Sequence, residues 1–382
     1  MTASTRFGTK SLRTALNRAR RGRPAALREI GTTASDQALK NARSAAASDR
    51  HRLKFLGLAV RRAGGAFRAP GSVLGMGGPV SPKPANRVSF VTVRMTSGLR
   101  RQITDEDVAT YHRDGVVLLP GMFDDEWIDL LDDGLDTQLA APTARARAWD
   151  RDTEGLTMFW DSQVWLDVKQ YQRFVFESSA AEIAGRIMRA SEVNFFFDAV
   201  FVRSPGTQFS TPWHQDEPYW SIDGYDSCTI WMPLVPVAAK SALAFVPGSH
   251  LGTPDWKQFN FGVLNPDDHT NVDQVDFDVM SAREVPDIDA DPEAFGVISW
   301  AMEPGDCVVF NGRTMHGGSG KLDSSADLRV FTSKWLGDDA RVIFRDCGMD
   351  PDHSAIMTEY GLKPGDRPGT DLYPRVWTRS RS

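Results

Sequence analysis

From about residue 192 onward the apolar pattern of the chain no longer follows a helical period, and this most limits what the chain can fold into. The segments VNFFFDAVFV, CTIWMPLVPV, SALAFV, GVISW, DCVVFN, LRVFTSKWL and ARVIF are short and rich in β-branched and aromatic residues. Gly, Pro and Asp turns separate them. Strands so short and so punctuated predict an antiparallel sandwich or barrel, here a jelly-roll type. Helices come first. Thr104 with Asp107 is a capping-box variant that opens a short helix ending near Gly115. GVVLLPG then reads as a buried strand. Asp124 or Asp125 caps a second helix, in which Trp127, Leu130, Leu131, Leu135 and Leu139 follow helical spacing. Ser179 with Glu182 makes a full capping box for a third helix carrying Ile183, Ile187 and Met188. The expected fold is therefore mostly β with flanking helices. Residues 251–296 form a long, acidic, Pro-containing insertion, a length typical of functional or disordered loops.

Charge divides the chain. Residues 1–94 hold 19 Lys/Arg and 3 Asp/Glu, a net of +16, whereas the remainder holds 25 and 47, a net of −22. The basic segment has the clusters LNRARRGRP and VRRAGGAF, a Gly/Pro-rich stretch and no long periodic stripe, so disorder is expected. Three readings compete for it: a transit peptide, a nucleic-acid or membrane tail, or an early start codon upstream of a true initiator at Met95. The division predicts a 1–94 extension and a 95–382 domain. Three cysteines at wide spacing fit no zinc or disulfide pattern, which points to reduced thiols in a cytoplasmic protein, or a mitochondrial one if the extension is a transit peptide. No apolar run approaches the roughly 20 residues of a membrane span.

One candidate metal pair stands in TPWHQDEPYW, where His214 and Asp216 are two apart. The spacing alone is weak, because His112 and Asp114 show it too, at the end of a predicted helix where such residues diverge. His214 and Asp216 follow a Gly/Pro/Ser/Thr loop and could begin a strand, on which residues two apart share a face. A third ligand has to come from elsewhere. His250 follows a strand but sits in a Pro-Gly-Ser turn, where a histidine more often bonds the turn. His316 emerges after the strand DCVVFN beside glycines that let a ligand approach. Thirteen residues later Arg329 opens an apolar strand, either to meet an anion or to reach solvent at the strand end. Two imidazoles and one carboxylate on one face make the triad of non-haem iron(II) oxygenases.

Residues from about 100 to 382 resemble the phytanoyl-CoA dioxygenase family of iron(II)- and 2-oxoglutarate-dependent oxygenases. The matching pieces, in order, are ITDEDVATYHRDGVVLLPGMFDDEWIDLL, TPWHQDEPYW, TIWMPLVPVAAKSALAFVPGSH and PGDCVVFNGRTMHGGSG with Arg329. The resemblance implies a double-stranded β-helix (jelly-roll, cupin-like) core. It implies iron(II) on His214, Asp216 and His316, and 2-oxoglutarate with its far carboxylate on Arg329, flanked by Trp231 and by a hydroxyl of Ser319 or Thr211. Dioxygen would be the co-reactant, with ascorbate as a supporting reductant. Arg203 stands where family members often have a lysine. Related halogenases lack the carboxylate, so Asp216 implies hydroxylation or another oxidation instead.

The substrate class is left open: a small molecule such as a lipid, an amino-acid derivative or a natural product. Trp160, Trp213, Tyr219 and Trp220 are the candidate pocket aromatics. The negative net charge speaks against a strongly anionic partner, and no nucleic acid is expected at the domain. Two rivals remain: a zinc or manganese jelly-roll protein with isomerase or hydrolase chemistry, which would not need an arginine clamp, and a non-catalytic binding protein, which would not need the triad.

Overall fold

The computed structural model describes residues 98–380, apart from 144, 151–156, 208–209, 253–255, 257–282, 319–321, 323, 346–348 and 350–352. The expectations for residues 1–94, most of the insertion, Ser319 and Cys347 therefore fall outside the described residues.

Helix α1 (Asp105–Asp114) begins at the expected capping box. The Thr104 hydroxyl accepts from the Asp107 amide, and the Asp107 carboxylate accepts from the Thr104 amide. It ends at Gly115, whose φ of 77° is left-handed. Strand β1 (Val116–Leu119) and helix α2 (Asp125–Ala140, capped by Asp124) follow as read from the sequence. Helix α3 (Lys169–Glu177) was not anticipated; it buries Tyr171, Phe174 and Val175. Helix α4 (Ala180–Met188) is present, but its expected capping box is not. The Ser179 side chain makes no cap bond, and Ser178 Oγ accepts from the Ala180 amide instead.

The remaining elements are strands, with one further short helix, α5 (Ser354–Glu359). They are β2 (Arg147–Asp150), β3 (Thr157–Ser162), β4 (Glu192–Arg203), β5 (Thr211–His214), β6 (Ile222–Asp223), β7 (Ser227–Pro233), β8 (Ala244–Phe245), β9 (Cys307–Asn311), β10 (His316–Gly318), β11 (Leu328–Leu336), β12 (Arg341–Val342) and β13 (Arg375–Thr378). GVISW is not a strand and contributes one bridge, Ile298 to Phe245.

The large antiparallel sheet has the order β1-β9-β7-β11-β4-β3-β2, with β13 also on β4. A smaller sheet, β5-β10-β8, faces it. One face of the large sheet packs on the helices through residues such as Leu131, Phe174, Ile183, Phe331 and Trp335. The other face carries Trp231, Phe310, Leu328 and Val330, which pack with Phe245 of the smaller sheet. Both faces of β11 are thus covered, and helices on one side with a second sheet on the other give the jelly-roll layering expected. Cys228 and Cys307 are buried free thiols. Among the described residues no helix is long and apolar enough to cross a membrane.

Gly115 is a point where no side chain fits. A Cβ there would lie 2.5 Å from His250 Nδ1 and 2.5 Å from Thr314 Oγ1. Gly115→Ala should therefore combine left-handed strain with overpacking and lower stability by about 2–5 kcal/mol, read as a drop in the urea midpoint at constant slope.

Candidate metal centre

Strands β5 and β10 pair so that His214 lies directly opposite His316. Their rings are 4.2 Å apart, centroid to centroid. Each imidazole is oriented by a backbone carbonyl two residues before it. His214 Nδ1 donates to the Pro212 carbonyl at 2.7 Å, and His316 Nδ1 donates to the Thr314 carbonyl at 2.9 Å. With Nδ1 committed to a carbonyl, Nε2 is the ring atom that each histidine turns to the shared space.

Asp216 reaches that space by a different route from the one expected. Strand β5 stops at His214, and Asp216 has helical dihedrals (φ −73°, ψ −45°) at the start of a short 3-10 turn over Glu217–Tyr219. The turn brings Asp216 Oδ1 to 3.5 Å from His214 Nε2 and 3.6 Å from His316 Nε2. Its Oδ2 accepts from Thr229 Oγ1 at 3.1 Å. The turn itself is fastened. Gln215 donates to the Arg313 carbonyl, Arg313 pairs with the buried Glu217, and Arg345 donates to the carbonyls of Glu217 and Trp220.

The three ligand atoms lie within 4.8 Å of one another. Burial alone would raise the Asp216 carboxyl, but the imidazoles of His316 and His214 overcome it and hold that group well below the usual carboxylate range. Burial, with His214 close by, pushes the His316 imidazole down to about 4. The donor set at neutral pH therefore includes a carboxylate and a neutral His316, which suits a divalent iron, and all three residues open onto one cavity. His112 and Asp114 form no such site. Asp114 pairs with Arg113, and the His112 carbonyl instead contacts His250 Nε2. His250 therefore does not bond its own Pro-Gly-Ser turn, as the sequence suggested, but ties that turn to the end of α1.

The cavity, about 170 Å³, has room for a ligand of many atoms and not merely an ion. Trp160, Tyr219, Trp220, Trp231 and Thr211 line it. Trp213 does not. It packs over Gly317 and donates from Nε1 to Asp289 at 2.9 Å.

Arg329 is the main correction. Along β11, Leu328, Val330, Thr332 and Lys334 line the cavity, and Arg329 lies between two of them on the other face of the sheet. There Nε donates to Asp132 Oδ1 at 2.6 Å, and a terminal nitrogen donates to Asp136 Oδ1 at 2.8 Å, both acceptors on α2. Its anion is supplied by the protein itself. The cavity has other cations that the sequence reading did not assign. Arg203, paired across the strands with Leu328, lines the cavity and is 7% exposed. It donates to Thr211 Oγ1 at 3.4 Å, its Nε has no partner, and burial lowers its pKa. Lys334 lines the cavity at the other end of β11, and Arg147 lies over the Trp160 ring at 4.8 Å. Counting by twos along β11 from either end would have placed Arg329 and Lys334 on opposite faces.

The family model for phytanoyl-CoA dioxygenase (PhyH) matches residues 111–328, more than half of the chain. The chain belongs to the phytanoyl-CoA dioxygenase family. It is accordingly an iron- and 2-oxoglutarate-dependent enzyme of the oxygenase type. Among solved structures it is similar to the non-haem α-ketoglutarate-dependent carbocyclase SnoK from nogalamycin biosynthesis. The two are 18% identical with a TM-score of 0.55, over 72% of this chain and 97% of that one. It is also similar to the epimerase SnoN in complex with Fe3+, α-ketoglutarate and nogalamycin RO. Here the identity is 18% and the TM-score 0.51, over 72% and 98% of the two chains. At that identity the likeness speaks for the fold. No protein of curated function matches the sequence.

Thr229 is the residue to test in this family member's metal centre. Thr229→Val keeps the side-chain shape and removes the bond to Asp216 Oδ2. Iron(II) affinity should fall about 10–100-fold, as is usual when the support of a ligand is lost, with the urea midpoint little changed. Titration of the metal-free protein with iron(II) under anaerobic conditions reads the effect.

Proposed function

We propose that the protein is a dioxygenase that hydroxylates a small organic substrate, with His214, Asp216 and His316 as the iron(II) ligands. The observation that carries this reading is the convergence of those three donors on a cavity that also holds a guanidinium with no carboxylate partner among the described residues. Iron(II) there would couple decarboxylation of 2-oxoglutarate by O2 to oxidation of a C–H bond, giving succinate, CO2 and an alcohol.

The chain's own residues supply placement. Arg203 takes the role the sequence suggested for Arg329. Among the described residues this buried guanidinium has no carboxylate partner, which makes it an anion site, and its fork suits the far carboxylate of 2-oxoglutarate. Thr211 stands three residues before His214 on β5, roughly 10 Å along the strand, and adds a hydroxyl beside Arg203. The aromatic wall of Trp160, Tyr219, Trp220 and Trp231 excludes water and offers apolar surface to a substrate. Thr229 keeps one oxygen of Asp216 occupied, so the other faces the metal position. Asp216 also fills the position a halide would need, which favours oxidation over halogenation. A carbocyclase and an epimerase share the fold, so the hydroxylation outcome rests on this reading and not on the fold.

With iron(II), ascorbate and 2-oxoglutarate, the purified protein should form succinate slowly even without substrate, and should show a visible charge-transfer band when 2-oxoglutarate binds anaerobically. Arg203→Ala should weaken 2-oxoglutarate binding at least about 30-fold, the equivalent of about 2 kcal/mol for a lost buried charge pair. Arg329→Ala should lower stability and leave 2-oxoglutarate affinity unchanged. The reverse pattern would restore Arg329 as the clamp. A folded, iron-loaded wild type that shows neither succinate nor the band would exclude the oxygenase reading.

A further inference from the structure

A second buried cation faces the cavity, and the chemistry assigned so far does not use it. Lys334 is 6% exposed. Its Nζ donates to Thr332 Oγ1 at 2.5 Å and lies 4.8 Å from the centre of the Phe197 ring. The Thr332 hydroxyl is itself committed to the Ala199 carbonyl. Two N–H groups of the ammonium have no acceptor among the described residues.

The nearby carboxylates do not answer it. Asp216 has one oxygen on Thr229 and the other directed at the histidines. Asp198 pairs in register with Ser333, so it belongs to the opposite face of the sheet, where its Oδ1 accepts from the Trp165 amide. Lys334 also acts electrostatically on both Asp216 and His316, so it lies near the metal position. A divalent ion on the triad would neutralise Asp216 and leave Lys334 facing a second cation. A buried ammonium in that position calls for an anion from outside the protein.

Arg203 does not compete for the same group. Lys334 is opposite Phe197 and Arg203 is opposite Leu328, six residues along the ladder, or roughly 20 Å between the two backbone positions. The cavity wall therefore carries two cations on well-separated backbone positions, with apolar rings such as Phe201 and Trp231 on the positions between them.

We propose that the substrate is a small apolar or aromatic carboxylic acid, whose carboxylate is received by Lys334 beside the metal centre. This rests on the 2-oxoglutarate reading, which assigns Arg203 to the cosubstrate. A single ammonium in an apolar wall matches one carboxylate. A polyanion is disfavoured by the net charge of −22 that residues 95–382 carry.

The test uses the full chain loaded with iron(II) and 2-oxoglutarate under anaerobic conditions. The probes are 3-phenylpropanoate and its neutral analogue 3-phenylpropanamide, followed by calorimetry and by displacement of the charge-transfer band. Wild type should bind the acid at least about tenfold more tightly than the amide, a difference a desolvated ion pair readily supplies. Lys334→Met should abolish that preference while 2-oxoglutarate affinity stays within about twofold of wild type, and Lys334→Arg should retain the preference. The cosubstrate band in Lys334→Met reports that this variant is folded and loaded. Equal binding of acid and amide by wild type, or binding of neither, overturns the proposal. So does a large loss of 2-oxoglutarate affinity in Lys334→Met, which would give Lys334 to the cosubstrate. Absence of the band in wild type removes the 2-oxoglutarate reading first and this proposal with it, whereas a normal band without acid preference removes this proposal alone.

Discussion

Strand β11 must satisfy two surroundings at once, because it runs through the middle of the large sheet between β7 and β4. Its side chains alternate between the faces. Phe331 and Trp335 go to the helix side, where Phe331 stacks on Tyr171 and meets Phe174 edge-on. A strand so anchored cannot slip by one residue without turning these rings into the cavity. The same constraint sends Arg329 to α2 and Lys334 to the cavity. The chemistry of the interior is therefore set by packing on the far side of the sheet. An arginine in a strand of this kind needs a carboxylate, and α2 supplies two.

The second organising feature is the break after His214. Had β5 continued, Asp216 would share a face with His214 but stand about two residues' rise away along the strand. The turn shortens that distance and lets the carboxylate meet both imidazoles. It depends on residues distant in sequence: Arg313 from the loop after β9, and Arg345 beyond β12, each bonded to the Gln215–Trp220 segment. The metal centre thus draws on much of the domain, although only three residues would touch the ion.

The architecture was largely legible because its signals are local. The Thr104 box, the Gly115 stop and the short turn-bounded strands each state their own conformation. The triad was legible for a related reason: histidine at a strand end beside glycine, and His-x-Asp beside a flexible loop, are rare enough together to be informative. Helix α3 was missed because KQYQRFVFE offers no capping residue; Val168 precedes it and makes no side-chain cap. Arg329 was misplaced because its partners, Asp132 and Asp136, lie almost 200 residues upstream and nothing in the local sequence announces them. Arg203 and Lys334 became visible as cavity residues only once the register of β4 against β11 was fixed. Whatever depends on pairing between distant strands is hidden from a reading that moves along the chain.

The bonds from both Nδ1 atoms to carbonyls two residues earlier have a consequence for how the site is assembled. Each imidazole is aimed by a backbone carbonyl two residues before it, and the carboxylate is aimed by Thr229, so the protein itself arranges all three donors. Folding and metal loading are then separate events. An arriving ion would then meet three side chains that the protein already holds close together.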